Sequence, residues 1–199
     1  MKRLELIEQG ILALESGDAE SALDLFRKAQ ADGDFSTEVE SLIAESLEAL
    51  GKLQEAVISL QKVVDIDSAD IDARYALGDL LFELGRFDDA RHVYQGIVDN
   101  APDEADALVS IGLLHFHQEE IDAAVASYEK ALQLSPDSTF ALNSLGDALF
   151  SRGEVDRALT TFQAVIDLDP QDPQAHYNLA EMYYDNEELD NAETSCLQA

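Results

Sequence analysis

Small residues recur along this chain at intervals of 34 positions, and this periodicity constrains the fold more than any other feature. The small residues are Gly10, Ala44, Gly78, Gly112, Gly146 and Ala180. An alanine follows each of them after twelve positions, at Ala22, Ala56, Ala90, Ala124, Ala158 and Ala192. Four positions later come Phe26, Leu60, Tyr94, Tyr128, Phe162 and Cys196. A fixed period of this length predicts a stack of similar units, each of which buries its open face on the next.

Each period contains two apolar blocks with helical spacing. In the third period the blocks occupy 76–84 and 87–98, and Gly85 separates them. The end of a helix favours a residue that tolerates a positive φ, which glycine does. The equivalent glycines of other periods are Gly17, Gly51 and Gly153. The sequence therefore predicts a helix, a tight turn and a second helix in each period.

Glycine also recurs inside the first predicted helix, at Gly78, Gly112 and Gly146. A glycine there costs about 1 kcal/mol relative to alanine, so its return needs a packing reason. Helices cross closely only where the facing residues are small. We therefore expect Gly78 to face Ala90 across the pair.

The period at 105–138 resembles a tetratricopeptide repeat. That family has a large aliphatic and a small residue midway along the first helix, then alanine, an aromatic and alanine in the second helix, and a closing proline. The matching residues here are Ile111, Gly112, Ala124, Tyr128, Ala131 and Pro136. The resemblance implies an all-α fold, a right-handed superhelical solenoid of antiparallel helix pairs. The predicted repeats are 3–36, 37–70, 71–104, 105–138, 139–172 and an incomplete 173–199, which together form one continuous solenoid domain.

The composition limits the partners. The chain has 42 acidic against 12 basic side chains, a net charge of −30. Such a surface repels phosphate backbones and anionic lipids, so nucleic acid and membranes are poor partner predictions and a basic partner is the natural complement. Adaptation to high salt explains the same excess without a partner. We expect no signal peptide, no membrane-spanning segment and a cytoplasmic location. The single Cys196 excludes an internal disulfide framework, and we expect it in the core.

The resemblance also implies where a ligand binds, because in that family the first helices line the concave face of the superhelix. In this sequence the positions that point into the groove hold aromatics flanked by carboxylates, which favour apolar and cationic side chains. The predicted groove residues are Tyr75, Asp79, Phe82, Glu83, Asp106, Val109, Leu113, Phe116, His117, Phe140, Asn143, Asp147, Phe150, Tyr177, Glu181 and Tyr184.

The sequence thus predicts a non-catalytic scaffold that binds a peptide segment with basic and apolar residues. Two alternatives stay open. The chain is a targeting or assembly domain of a larger protein, enzymatic or related to secretion, or it is a scaffold that self-associates through the unfinished edge at 189–199.

We predict no metal, cofactor or active site. His115 and His117 lie two positions apart on a helix and point in different directions, so they cannot share an ion. The acidic run at 65–72 lacks the glycine and glutamate of a calcium loop and is predicted to be a turn. Serine and histidine residues are too scattered to suggest a catalytic triad.

Overall fold

The chain folds into successive helix pairs joined by short turns. A computed structural model describes residues 2–33, 36–185 and 189–197, with side chains at all of these except positions 2, 189, 190, 192 and 194. Its helices are α1 (Lys2–Glu15), α2 (Ala19–Ala31), α3 (Thr37–Ala49), α4 (Leu53–Ile66), α5 (Ile71–Glu83), α6 (Phe87–Asn100), α7 (Ala105–His117), α8 (Ile121–Leu134), α9 (Thr139–Ser151), α10 (Val155–Leu168), α11 (Pro173–Asp185) and α12 (Leu189–Cys196). These ranges contain no strand, so the all-α prediction is confirmed.

The helices form two compact units. Unit 1 is Met1–Asn100 and unit 2 is Ala101–Ala199. Within each unit the second helix of a pair packs on its own first helix and also on the first helix of the next pair, as α8 does on α7 and α9. In unit 2 the first helices also contact each other, α7 with α9 and α9 with α11. This is the packing of a solenoid, in which each pair completes the core of its neighbour.

Side chains cap most of the first helices at the same place in the period. A cap side chain accepts a hydrogen bond from a backbone N–H of the first turn, which has no acceptor within the helix. Asp172, for example, accepts one from the Ala175 N–H at 2.7 Å. The other residues that do this are Ser36, Asp70 and Ser138. The 34-residue period therefore fixes where the first helices begin.

The turn inside each helix pair requires a left-handed backbone conformation. The φ angles of Gly17, Gly51, Gly85 and Gly153 are 82°, 68°, 69° and 82°, which confirms the predicted role of these glycines. No atom lies within 4 Å of the place where a Cβ would stand on any of them, so the backbone angle rather than crowding selects glycine. In the fourth period the same position holds Glu119, whose φ is 60°.

Glu119→Gly is expected to stabilise the protein. A side chain in the left-handed region costs roughly 1–2 kcal/mol, of which the greater freedom of glycine in the unfolded chain cancels part. The free energy of unfolding, measured by urea denaturation, should rise by about 0.5–1 kcal/mol. The reverse change Gly85→Glu is the matched control and should lower it by a similar amount. An unchanged or lower stability of Glu119→Gly would show that the turn is not strained.

The glycines inside the first helices make room for an aromatic ring rather than for an alanine. A Cβ on Gly78 would lie 2.4 Å from the ring of Tyr94, which is therefore its nearest neighbour instead of the expected Ala90. The same contact, also at 2.4 Å, joins the pairs Gly10–Phe26, Gly112–Tyr128 and Gly146–Phe162. Where the small residue is an alanine, the partner position holds Leu60 or Cys196. The aromatic ring and the glycine thus occur together because the two facing positions cannot both hold large side chains.

The recurring alanines of the second helices are fully buried. Ala22, Ala56, Ala90, Ala124 and Ala158 have no exposed surface. The side chain of the last one, Ala192, lies outside the described residues.

Cys196 does not occupy the core position predicted for it. Its side chain is exposed, and the neighbouring Ser195 is the one that is buried. The side chain that points inward from this last turn is therefore one residue earlier than the repeat register predicts.

Candidate peptide-binding surface

The predicted groove residues fall on four helices. Tyr75, Asp79, Phe82 and Glu83 belong to α5 in unit 1, and all the others belong to α7, α9 and α11 in unit 2. Most members of each set are spaced by three or four residues, which places them on one face of their helix, and Glu83 and His117 each directly follow another member. We call the set on α7, α9 and α11 the inner face of unit 2.

The inner face of unit 2 exposes large aromatic side chains. Phe140 on α9 is 59% exposed, and Tyr177 and Tyr184 on α11 are 57% and 67% exposed. Aromatic side chains this open to water offer apolar area that a partner can cover. Asp106, His117 and Glu181 are also exposed, whereas Leu113, Phe116, Asp147 and Phe150 are half-buried.

Two predicted residues lie deeper than the rest. Val109 is 1% exposed and belongs to the hydrophobic core of unit 2, so its side chain is not open to a ligand on the inner face. Asn143 is 8% exposed and helps to join two helices. Its position in the period faces the neighbouring helix pair as well as the inner face, and sequence alone does not separate those two roles.

Hydrogen bonds between polar side chains tie α9 to the start and middle of α11. The Asn178 amide Nδ2 donates to Asp147 Oδ1 at 2.7 Å, and Gln174 Nε2 donates to Asn178 Oδ1 at 2.7 Å. One turn earlier on α9, Asn143 Nδ2 donates to Asp172 Oδ1 at 3.3 Å. We call these hydrogen bonds the α9–α11 ladder. The ladder fixes the Asp147 carboxylate in place on the inner face.

The Asp147 carboxylate lies in an unfavourable electrostatic position. Burial raises the pKa of Asp147 to about 6, and the nearby charge of Glu181 contributes in the same direction. The helices α7, α9 and α11 contain no lysine or arginine. The arginines of unit 2, Arg152 and Arg157, pair with other carboxylates. Among the described residues of unit 2, no lysine or arginine forms an ion pair with Asp147 or Glu181.

In unit 1 the predicted residues form a separate arrangement on α5. Tyr94 Oη donates to Asp79 Oδ1 at 2.5 Å, and the rings of Tyr75 and Tyr94 have centroids 6.4 Å apart. The ring of Phe82 packs edge-on against Phe87 at 5.5 Å. These contacts hold Tyr75 and Phe82 against the second helix of the pair, while Asp79 stays exposed.

The structure also shows an acidic cavity that the predicted set does not include. A cavity of about 350 Å³ lies between α3 and α5 in unit 1. Its polar lining consists of Ser41, Glu45, Glu48, Asp70 and Asp72, over an apolar floor that includes Leu60. The register that selects Tyr75 and Asp79 on α5 also selects Ser41 and Glu45 on α3. The lining of the cavity contains no aromatic residue, and aromatic residues are the signal that distinguishes the predicted groove from the other periods.

Comparison with known families agrees with this architecture. The family model described as tetratricopeptide repeat matches residues 75–139, and the one described as TPR repeat matches residues 46–85 and 146–187. The chain belongs to the tetratricopeptide repeat family. No curated protein matches the sequence.

Several solved structures share the fold. One is a tetratricopeptide repeat protein from Parabacteroides merdae, 23% identical, with a TM-score of 0.85 over 98% of this chain and 77% of that one. Another is MamA from Desulfovibrio magneticus RS-1, 23% identical, with a TM-score of 0.75 over 86% of this chain and 97% of that one. A third is YrrB, described as a TPR protein with an unusual peptide-binding site, 22% identical, with a TM-score of 0.62 over 87% of this chain and 89% of that one.

The tetratricopeptide family supplies protein-interaction scaffolds that are generally not catalysts. In the part of this chain that the structure describes, no three side chains of histidine, cysteine, aspartate or glutamate are grouped to hold a metal ion. None of the helices in that part is both long and apolar enough to cross a bilayer. His115 instead pairs with Glu120, with Nδ1 and Oε2 2.5 Å apart.

The raised pKa of Asp147 predicts how stability depends on pH. Because the folded-state pKa lies above the unfolded value, folding favours the protonated carboxyl, and this stabilisation is lost as pH rises through about 6. Asp147→Asn, which keeps an acceptor for Asn178, should therefore be more stable than the wild type at pH 8 by about 1 kcal/mol, allowing for partial exposure. The difference should shrink towards zero at pH 4. Asp106→Asn on α7 is the control. Equal pH profiles of the wild type and Asp147→Asn, in urea denaturation, would contradict the prediction.

Proposed function

We propose that this tetratricopeptide protein is a non-catalytic scaffold and that the inner face of unit 2 binds a peptide segment carrying basic and apolar side chains. The observation that carries the proposal is the combination on α9 and α11 of exposed aromatic rings with carboxylates that no lysine or arginine of the described residues neutralises. A peptide with both kinds of side chain complements both features.

The apolar part of the proposal rests on Phe140, Tyr177 and Tyr184. Aromatic side chains carry a large share of the binding energy at protein interfaces because each covers much area and loses few rotamers. Their faces also attract cations, so a basic side chain of the peptide gains from the same rings. We therefore expect these three residues to be the anchors of the surface.

The basic part of the proposal rests on Asp147 and Glu181. Two carboxylates without a cationic partner repel each other, and a cationic ligand removes that repulsion. The α9–α11 ladder already orders Asp147, so binding loses little conformational entropy on the protein side. YrrB shares the fold and is described as having a peptide-binding site, which is compatible with this use of the surface.

The proposal is tested with an array of random 12-residue peptides probed with the full chain at low salt. We expect the binding peptides to be enriched in arginine, lysine and apolar residues and depleted in aspartate and glutamate. Binding should weaken as salt rises towards physiological strength, where exposed charges are screened over about 8 Å.

Two double variants of the protein, each probed with the same peptide array, test whether the inner face of unit 2 is the binding surface. Tyr177→Ser with Tyr184→Ser removes the anchors of α11 and should abolish most binding. Leu134→Ser with Leu168→Ser is the matched control, because these side chains, on the second helices α8 and α10, are 44% and 46% exposed. No enriched peptides, or equal losses for the two variants, would contradict the proposed function.

A further inference from the structure

We infer that Asp147 and Glu181 together bind a single cationic side chain of the peptide, and that arginine is favoured over lysine at this place. The inference rests on the proposed function and adds a specificity-determining pair to it. It comes from the arrangement of acceptors, aromatic rings and one buried amide around the α9–α11 ladder.

The two carboxylates offer acceptors from two different helices. Asp147 lies on α9, and one of its oxygens, Oδ1, already accepts the hydrogen bond from Asn178. Its other oxygen, Oδ2, and the exposed carboxylate of Glu181 on α11 receive no hydrogen bond from the side chains that the structure describes. Glu181 lies three residues after Asn178, the residue that donates to Asp147, which brings its carboxylate to the same side of α11 as that hydrogen bond. Its charge also raises the pKa of Asp147. A cation placed between them interacts with both.

The geometry of the acceptors favours a guanidinium group. Arginine presents five N–H donors in a fixed plane and can donate to two carboxylates at once, whereas the lysine ammonium is a compact and strongly hydrated charge. Tyr177 and Tyr184, which flank Glu181 on the exposed side of α11, add faces on which a guanidinium can stack. Lysine gains less from both features.

A second observation points to a ligand at the ladder. Asn143 is buried, with 8% of its surface exposed, and it lies one turn before Asp147 on the same face of α9. Its carbonyl oxygen Oδ1 is buried and accepts no hydrogen bond from any residue in the described part of the chain. A buried acceptor without a donor is unfavourable. The ladder therefore lacks a hydrogen-bond donor at Asn143 and a positive charge at Asp147, and of these two an arginine side chain bound at the surface supplies the charge.

The test is a thermodynamic cycle between the peptide and the protein. Each arginine of the tightest-binding peptide from the array is replaced in turn by lysine and by citrulline, which keeps the shape of arginine but carries no charge. The dissociation constants are measured by fluorescence anisotropy for the wild type and for Asp147→Asn with Glu181→Gln. At one arginine position, citrulline should weaken binding to the wild type about tenfold and to the double variant less than twofold, and lysine should bind the wild type more weakly than arginine.

A matched variant removes the same number of charges elsewhere. Asp156→Asn with Asp167→Asn neutralises two exposed carboxylates on α10 and should leave the tenfold effect unchanged. Equal citrulline losses in the wild type and in the Asp147 and Glu181 variant would overturn the inference while leaving the proposed function in place. Equal affinities of the lysine and arginine peptides would overturn the preference for arginine. An array without basic peptides among its binders would overturn both proposals.

Discussion

Gly146→Ala is expected to destabilise the protein by about 2 kcal/mol, although alanine is the better helix former. A Cβ on Gly146 would lie 2.4 Å from the ring of Phe162, a side chain that is only 1% exposed. Overpacking of this kind costs typically 1–3 kcal/mol, and the higher helix propensity of alanine offsets only about 1 kcal/mol. The ring cannot move aside without disturbing the core around it, so the steric cost should win. The measurement is the free energy of unfolding from urea denaturation followed by circular dichroism.

The double variant Gly146→Ala with Phe162→Leu is the control for this prediction. The pair Ala44–Leu60 already has this combination in unit 1, where Ala44 is 3% exposed and Leu60 is 5% exposed. Leucine in place of the ring leaves room for the added methyl group, so the double variant should be more stable than the sum of the two single changes predicts by at least 1 kcal/mol. Additive effects of the two substitutions would contradict the steric explanation.

Lys62→Met is the second change with a large expected effect, a loss of about 2 kcal/mol. The Glu40 carboxylate on α3 is buried, with 4% of its side chain exposed, and it accepts hydrogen bonds from Lys62 Nζ at 3.1 and 3.3 Å. It also accepts one from Gln30 Nε2 at 2.5 Å, so this carboxylate connects α2, α3 and α4. Removal of the cation leaves a buried charge with an amide as its remaining partner. Breaking a fully buried pair costs 3–5 kcal/mol, and the half-exposed Lys62 places this pair below that range.

Two further variants distinguish the effect of the buried ion pair on stability from the effect of an exposed ion pair. Lys28→Met removes an exposed lysine whose pair with Asp24 is open to solvent on both sides, and it should change stability by less than about 0.5 kcal/mol. Glu40→Gln with Lys62→Met removes both charges and should recover most of the loss, because the uncompensated carboxylate is gone. Thermal unfolding at pH 7 is sufficient to compare them. Equal melting temperatures of Lys62→Met and Lys28→Met would show that Glu40 does not depend on its cation.

Much of the fold could be predicted from the sequence because its determinants are local. Spacings of three and four between apolar residues define the helices, and the glycine between the two blocks defines the turn. The left-handed φ of Gly85 follows from that local rule. Glu119 shows that the turn is imposed by the repeat as a whole, since the backbone keeps the same conformation with a residue that disfavours it. The division of the chain into repeat units, by contrast, stays a prediction.

The candidate site could be predicted only in part. Helical register places Phe140, Tyr177 and Tyr184 on the inner face, and all three are exposed. The same register does not say how far a neighbouring helix covers a side chain, which is why Val109 is in the core. Nor does it show which residues of different helices meet. The bond from Asn178 to Asp147 joins residues 31 positions apart.

The sequence by itself thus determined the helices, their turns and the family, because periodicity and backbone preference act over a few neighbouring residues. Only the tertiary structure decided which side chains those helices bury and which they pair. It placed the Tyr94 ring, rather than Ala90, against Gly78, left Cys196 at the surface, and held the Asp147 carboxylate near Glu181, with no lysine or arginine of the described residues paired to it. Burial and charge depend on distances between atoms far apart in the chain, and packing of one helix against the next sets those distances.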